Sequence, residues 1–261
     1  MKIHFQLTAS AVILCIGVNV VGNAYAQIGQ DYKRFNDNYG FPLRSAVWLF
    51  PKNSRKVMFV CWENAKSEYQ MAMGWVREAV ERSWATHSSL IFQGWDKTCT
   101  ASSAGIRIKI GDEASRDGRD YEPHTKGLGR ELDGMPNGMV LNFTYKKWDP
   151  DCPKTPGFGM KICIQAVAVH EFGHALGFAH EHNRHDRPGE CKEEPQGVDG
   201  DVQMFTPFDP HSVMNYCNAS YNNMGVLSPC DIKSVEKLYC SKGNPFCEPD
   251  LSPAEIQCAA N

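Results

Sequence analysis

Five of the nine histidines in this chain fall between positions 170 and 185, and three of them have a spacing that can be explained mechanically. The segment reads His170-Glu171-Phe172-Gly173-His174-Ala175-Leu176-Gly177-Phe178-Ala179-His180. On a helix, residues four apart share one face, so the imidazoles of His170 and His174 can reach one metal ion. Glu171 is displaced by about 100° around the same helix. Its carboxylate can then stand beside the ion and reach a water without being a ligand. His180 cannot share that face in the same helix, so a third ligand there requires the chain to turn back. Gly177 supplies the turn, because glycine accepts a left-handed backbone at a helix end at little cost. Three neutral imidazole nitrogens with a fourth position left open form a zinc-like set of the catalytic kind.

These residues need a rigid support. Met160 to Phe178 is apolar on nearly every side, which predicts a helix buried in the middle of a domain. Upstream, Val57–Trp62 reads as a strand. Tyr69, Met73, Val76, Val80 and Trp84 form one helical stripe. Leu90–Phe92, Gly105–Ile110 and Met139–Thr144 read as further strands. In the second of these, apolar residues alternate with Arg107 and Lys109, which predicts one buried and one wet face. A last helix is predicted to start at Ser228, with Pro229 at its first position, Asp231 three residues after the cap, and Ile232, Val235 and Leu238 facing inward. The order of elements describes one α+β domain with a cleft.

The residues after His180 narrow the reading. Glu181 follows it directly, and Arg184, Asp186 and Arg187 continue the run. Residues 170–187 resemble the zinc motif of the metzincin clan of metallopeptidases, in the astacin-like form HExxHxxGxxHExxRxDR. Phe208-Asp209 and then Ser212-Val213-Met214-Asn215-Tyr216 are similar to the Met-turn of that clan and its approach. The resemblance implies a metzincin-like catalytic domain: a twisted mixed sheet above the cleft, the active-site helix at its floor, and an irregular C-terminal subdomain. It also implies that Met214 forms an apolar floor below the zinc. Tyr216 would be a switchable fifth ligand that stabilises the oxyanion, and the Glu at position 181 would anchor a new N-terminus freed by maturation. Asn215 departs from the pattern, since astacins usually carry His there. Residues 27–56 show no obvious site for a maturation cut, so an internal cation, Arg184 or Arg187, is the expected partner of Glu181.

Composition bounds the setting. The chain has 261 residues, with 27 Lys plus Arg against 30 Asp plus Glu and a formal charge of -3. That lacks the basic surplus of a dedicated nucleic-acid binder, and 42% hydrophobic residues exclude a disordered chain. Residues 1–26, with Lys2, the apolar run Ala11–Val21 and Ala24-Tyr25-Ala26, read as a signal peptide. Residues 27–44 then form an N-terminal arm or short pro-segment, and 45–261 the zinc metallopeptidase catalytic domain. Cleavage removes Cys15 and leaves ten of the eleven cysteines, an even count that predicts disulfides in an exported chain. The expected local pairs are Cys152 with Cys163, Cys191 with Cys217 and Cys247 with Cys258. Cys230 and Cys240 bracket a helix and are too far apart to pair.

Other groups carry blander readings. His182 and His185 are expected to be exposed loop histidines, and His124, His87 and His211 lack metal-like spacing. Asp112, Asp117 and Asp120 are expected to be solvated loop acids, because their spacing lacks the Gly and Glu of a calcium loop. Asn142 and Asn218 open glycosylation sequons. The function expected is that of a secreted zinc metalloendopeptidase, extracellular or periplasmic, monomeric, and free of nucleic acid and of the membrane. Its zinc would be held by His170, His174 and His180, with Glu171 as general base and Tyr216 assisting, on a protein or peptide substrate paired to an edge strand near Thr125–Glu131. Two alternatives share the motif: a zinc amidase acting on a specialised substrate such as a peptidoglycan cross-link, and a catalytically silent binding module.

Overall fold

The computed structural model describes residues 44–111, 121–196, 205–252 and 258, with the side chains of residues 44 and 221 excepted. The signal peptide, nearly all of the N-terminal arm and Asp112, Asp117 and Asp120 lie outside the described residues.

Five strands form one sheet: β1 (Lys56–Trp62), β2 (Leu90–Gln93), β3 (Ile106–Ile110), β4 (His124–Thr125) and β5 (Met139–Leu141). The order is β2-β1-β3-β5-β4. β1, β2, β3 and β5 run parallel, and β4 pairs antiparallel to β5 at one edge. The sheet is therefore mixed. Three α-helices accompany it: α1 (Gln70–Arg82), α2 (Gly159–Ala175) and α3 (Pro229–Tyr239). Met58, Val60, Trp62, Ile106 and Ile108 line one face of the sheet and join the helices in a single core.

The helical stripe behaves as its spacing predicts for Met73, Val76 and Val80, all buried on α1. Trp84 lies past the end of that helix and is still fully buried. Its indole donates to the Val169 carbonyl at 2.8 Å and its ring stacks on Phe178 at 5.5 Å, so it ties α1 to the end of α2. Every residue of α2 from Cys163 to Ala175 is buried, as expected of an all-round apolar helix. The helix stops at Ala175, three residues before the apolar run ends.

The expectation of a wet face on β3 is wrong for Arg107. β3 lies between two parallel neighbours, and such strands are covered on both sides. The Arg107 side chain is only 7% exposed, and its Nε and Nη2 donate to Glu63 at 2.9 and 3.1 Å. The strand predicted over 139–144 ends at Leu141. Beyond it the Asn142 carboxamide ties the loop together, donating to Gly111 and Tyr121 and accepting from the Thr144 and Tyr145 amides. Asn142 is buried, so in the folded chain this sequon offers no nitrogen to a glycan.

Five disulfides join the ten cysteines: 61–99, 152–163, 191–217, 230–258 and 240–247. Two expected pairs are present, and Cys230 and Cys240 do not pair with each other. The pairing of Cys247 with Cys258 is replaced, because Cys240 ends α3 in a left-handed turn and meets Cys247 seven residues on. Cys258 then reaches Cys230, in the first turn of α3. No helix among the described residues is long and apolar enough to cross a membrane.

Candidate metal centre

The end of α2 shapes the centre. Leu176 caps the helix and Gly177 follows at φ 97°. The Phe178 amide donates to the Gly173 carbonyl and the Gly177 amide to that of His174, a Schellman closure that needs its left-handed residue at position 177. The chain then reverses and carries His180 back over the helix, while the carbonyl of Phe178 accepts from His174 Nδ1 at 2.8 Å.

All three imidazoles are oriented in the same way. His170 Nδ1 is 2.7 Å from the Val213 carbonyl, His174 Nδ1 2.8 Å from that of Phe178, and His180 Nδ1 3.2 Å from that of Gln196. A carbonyl only accepts, so each Nδ1 carries the proton and each Nε2 presents a lone pair. The Nε2 of His180 lies 3.2 Å from that of His170 and 3.0 Å from that of His174. Lone pairs facing at this distance repel unless a cation lies between them. Tetrahedral ligands at zinc–nitrogen lengths of 2.0–2.1 Å stand about 3.3 Å apart, so the donor set fits zinc. This triad is the one cluster of metal-ligating side chains of its kind among the described residues. Burial holds His170 and His180 well below the ordinary imidazole pKa and brings His174 to about 4, so all three are neutral donors.

Glu171 is buried with them. Its Oε2 has no hydrogen-bond partner, and desolvation raises its carboxyl to about 8. Met214 is fully buried against the same helix: a Cβ on Gly173 would collide with its sulfur and press within 3.2 Å of Trp84. Tyr216 is half-buried, its ring 5.2 Å from that of His170 and 4.5 Å from that of His180. The predicted site residues His170, Glu171, His174, His180, Met214 and Tyr216 are thus brought together by α2, the reversal after it and the loop from 212 to 216.

Residues 53–186, a little over half of the chain, match the matrixin family, peptidase M10. The chain belongs to the matrixin family. Matrixins are metzincin zinc metallopeptidases, and the three histidines of this chain form a site that could hold that metal. Over 74 residues the chain is 35% identical to zinc metalloproteinase nas-24 of Caenorhabditis elegans, a stretch of 25% of this chain and 18% of that protein. The chain therefore spans less than a fifth of that relative. Its fold is similar to that of myroilysin, at 17% identity and a TM-score of 0.50, over 76% of this chain and 97% of the other. A further similar structure is high choriolytic enzyme 1, a hatching enzyme zinc-protease of the medaka Oryzias latipes, at 19% identity and a TM-score of 0.47, over 76% and 97% of the two chains.

One residue near the centre differs from expectation. His182, expected on the surface, is fully buried. Its ring stacks between those of His180 and Tyr216, at 4.8 Å from each, and its Nδ1 accepts the Tyr216 amide at 3.3 Å. The signal that could have found it is its place two residues after a ligand, in a turn tight enough to bring its ring under that ligand. His185 is exposed, as expected of a loop histidine, and so is His211. Asn215 is also buried, its amide donating to the Asp209 carbonyl and its Oδ1 accepting the Cys217 amide. An asparagine there is a hinge pin for the loop and not a metal donor.

Glu181 has the expected internal cation. Arg184 Nε is 3.5 Å from its Oε1, both side chains are at most 1% exposed, and the Asp209 amide donates to the same oxygen at 2.7 Å. Arg187, the other candidate, instead donates to the carbonyls of His182 and Glu193.

Proposed function

We propose that this matrixin is an exported, astacin-like zinc endopeptidase, with residues 1–26 as a removed signal peptide and 45–261 as the catalytic domain. The observation that carries the reading is the set of three Nε2 lone pairs, each fixed by its own Nδ1–carbonyl bond. The astacin-like subtype is supported by Glu181, Arg184, Asp186 and Arg187 directly after the third histidine. Export is supported by the five disulfides.

When bound by His170, His174 and His180, zinc lowers the pKa of a water and polarises a substrate carbonyl. Glu171 takes a proton from the attacking water and returns it to the leaving amine nitrogen. Its place beside His170 in the buried donor set, with Oε2 held by no other side chain or backbone group, supports this role. The Tyr216 hydroxyl donates to the oxygen on which negative charge develops. The peptide substrate lies extended along β4, the edge strand in the order β2-β1-β3-β5-β4. Only Thr125 of the expected 125–131 contact belongs to that strand, since Gly129–Leu132 coils into a 3-10 turn. A silent binding module is disfavoured by the presence of Glu171, since a silent copy has no need of the base.

The test is Glu171→Gln. The variant should fold and hold one zinc per chain, while turnover on a peptide library falls about 10²- to 10⁴-fold. Near-normal turnover in the zinc-loaded variant would refute the assignment of the base.

A further inference from the structure

The bond that orients His170 belongs to a longer chain of bonds that starts on the last helix. His170 Nδ1 donates to the Val213 carbonyl at 2.7 Å. That carbonyl belongs to the peptide unit whose N–H is the amide of Met214. The Met214 amide donates to Ser212 Oγ at 3.0 Å. The Ser212 hydroxyl in turn donates to Asp231 Oδ1 at 2.7 Å. Every step runs in one direction: imidazole to carbonyl, amide to hydroxyl, hydroxyl to carboxylate. The other oxygen of Asp231 accepts the amides of Val213 and Ser228, both at 3.0 Å, so the carboxylate cannot swing away. Ser212, Val213, Met214 and Asp231 are all buried, which excludes water from competing along the path.

We propose that Asp231 and Ser212 are positioning residues of the metal centre: the Asp231 carboxylate, acting through the Ser212 hydroxyl and the 213–214 peptide, strengthens the metal-donor nitrogen of His170. The inference rests on His170 being a zinc ligand. The physics is polarisation in series. A carboxylate accepting the hydroxyl proton makes the hydroxyl oxygen a better acceptor. That oxygen withdraws the amide proton and makes the carbonyl oxygen of the same peptide more negative. The carbonyl then pulls harder on the Nδ1 proton, and Nε2 becomes the stronger donor. Metal-binding histidines often obtain this effect from a carboxylate in direct contact. Here the carboxylate acts at a distance, through a serine and one peptide unit. His174 and His180 bond to the carbonyls of Phe178 and Gln196, and no carboxylate link to those carbonyls is present among the described residues. His170 is the ligand on which the final helix acts.

The experiment measures zinc affinity of the full mature chain by competition with a chromophoric chelator, alongside melting of the chelator-treated protein. Ser212→Ala removes the hydroxyl link, and should raise the zinc dissociation constant about tenfold. Ser212→Thr keeps a hydroxyl, and should restore affinity to near the parent value. Asp231→Asn removes the charge at the end of the path and should weaken zinc to a similar degree. The double variant should lose no more than the larger single loss, because the links act in series. Zinc affinity within twofold of the parent in Ser212→Ala overturns the proposal, as does failure of Ser212→Thr to restore a lost affinity. So does a fall in metal-free melting temperature with zinc affinity unchanged, which would mark a purely structural role. His170→Ala is the control for the underlying reading: if it retains parent-like zinc affinity, the ligand assignment fails, whatever Ser212 does.

Discussion

Gly173 separates the two ligands of α2, and the motif pattern treats it as a free position. In the fold it is not free, because the Met214 sulfur and the edge of Trp84 occupy the space that a Cβ would enter. Gly173→Ala should therefore lower stability by about 1–3 kcal/mol through overpacking, read as a shift in the urea midpoint. Met214→Ala in the same chain should return part of that loss, and an unchanged midpoint in the single variant would contradict the close approach. The contrast explains what the sequence could show at this scale. His170, His174 and Glu171 were legible because their relations are angles around one helix, and His180 because Gly177 allows one turn only. His182 was not, because its burial depends on Tyr216, 34 positions away, closing over it. Arg107 misled for a related reason: alternation along a strand predicts a wet face only if nothing covers that face, and Glu63 is paired to it there.

The final helix, α3, shows how one element can act on both the fold and the site. Its capping box was legible as Ser228 and Asp231 three residues apart, and both reciprocal bonds are present. What the spacing could not show is that the same carboxylate also accepts Ser212 and Val213 from the Met-turn. Burial raises the Asp231 carboxyl to about 6 despite these donors, and the nearby Asp209 carboxylate adds to the rise. The sign of the linkage follows. The folded-state value exceeds the unfolded value near 3.9, so the folded chain takes up the proton first, and protonation at this group stabilises the fold as pH falls from about 6 towards 4. Asp231→Asn is neutral throughout and lacks this gain. On going from pH 7 to pH 5, the parent should gain about 1 kcal/mol relative to the variant, measured by denaturant unfolding at the two pH values. A difference between the two proteins that does not change with pH would show that Asp231 is not raised.

At the scale of the whole molecule, the segment ahead of β1 is pinned to the floor of the cleft. Ala46 packs with Leu128 and Ala179. The Trp48 indole donates to the Ala175 carbonyl at the end of α2, and the Tyr239 hydroxyl of α3 donates to that of Leu176. Ala46 and Trp48 thus close the region where α2 ends and the reversal toward His180 begins. Glu181 is already met by Arg184 and the Asp209 amide within the domain. Both act on Oε1 and favour the carboxylate, although burial outweighs them and raises the carboxyl well above its ordinary value. If this internal pairing governs Glu181, the identity of the first residue should be immaterial. Mature forms beginning at different points between Gln27 and Pro42 should show the same kcat/KM within about twofold on one peptide substrate. Glu181→Gln should lower the melting temperature of every one of them, because it removes one charge partner of the buried Arg184 guanidinium and leaves only Asp186, which pairs with its Nε and Nη2 at 2.8 and 2.6 Å. Truncation past Trp48 should instead destabilise the chain sharply by removing its bond to the end of α2. A steep rise in activity at one start point, with Glu181→Gln abolishing that rise alone, would show that the amine and not Arg184 governs Glu181.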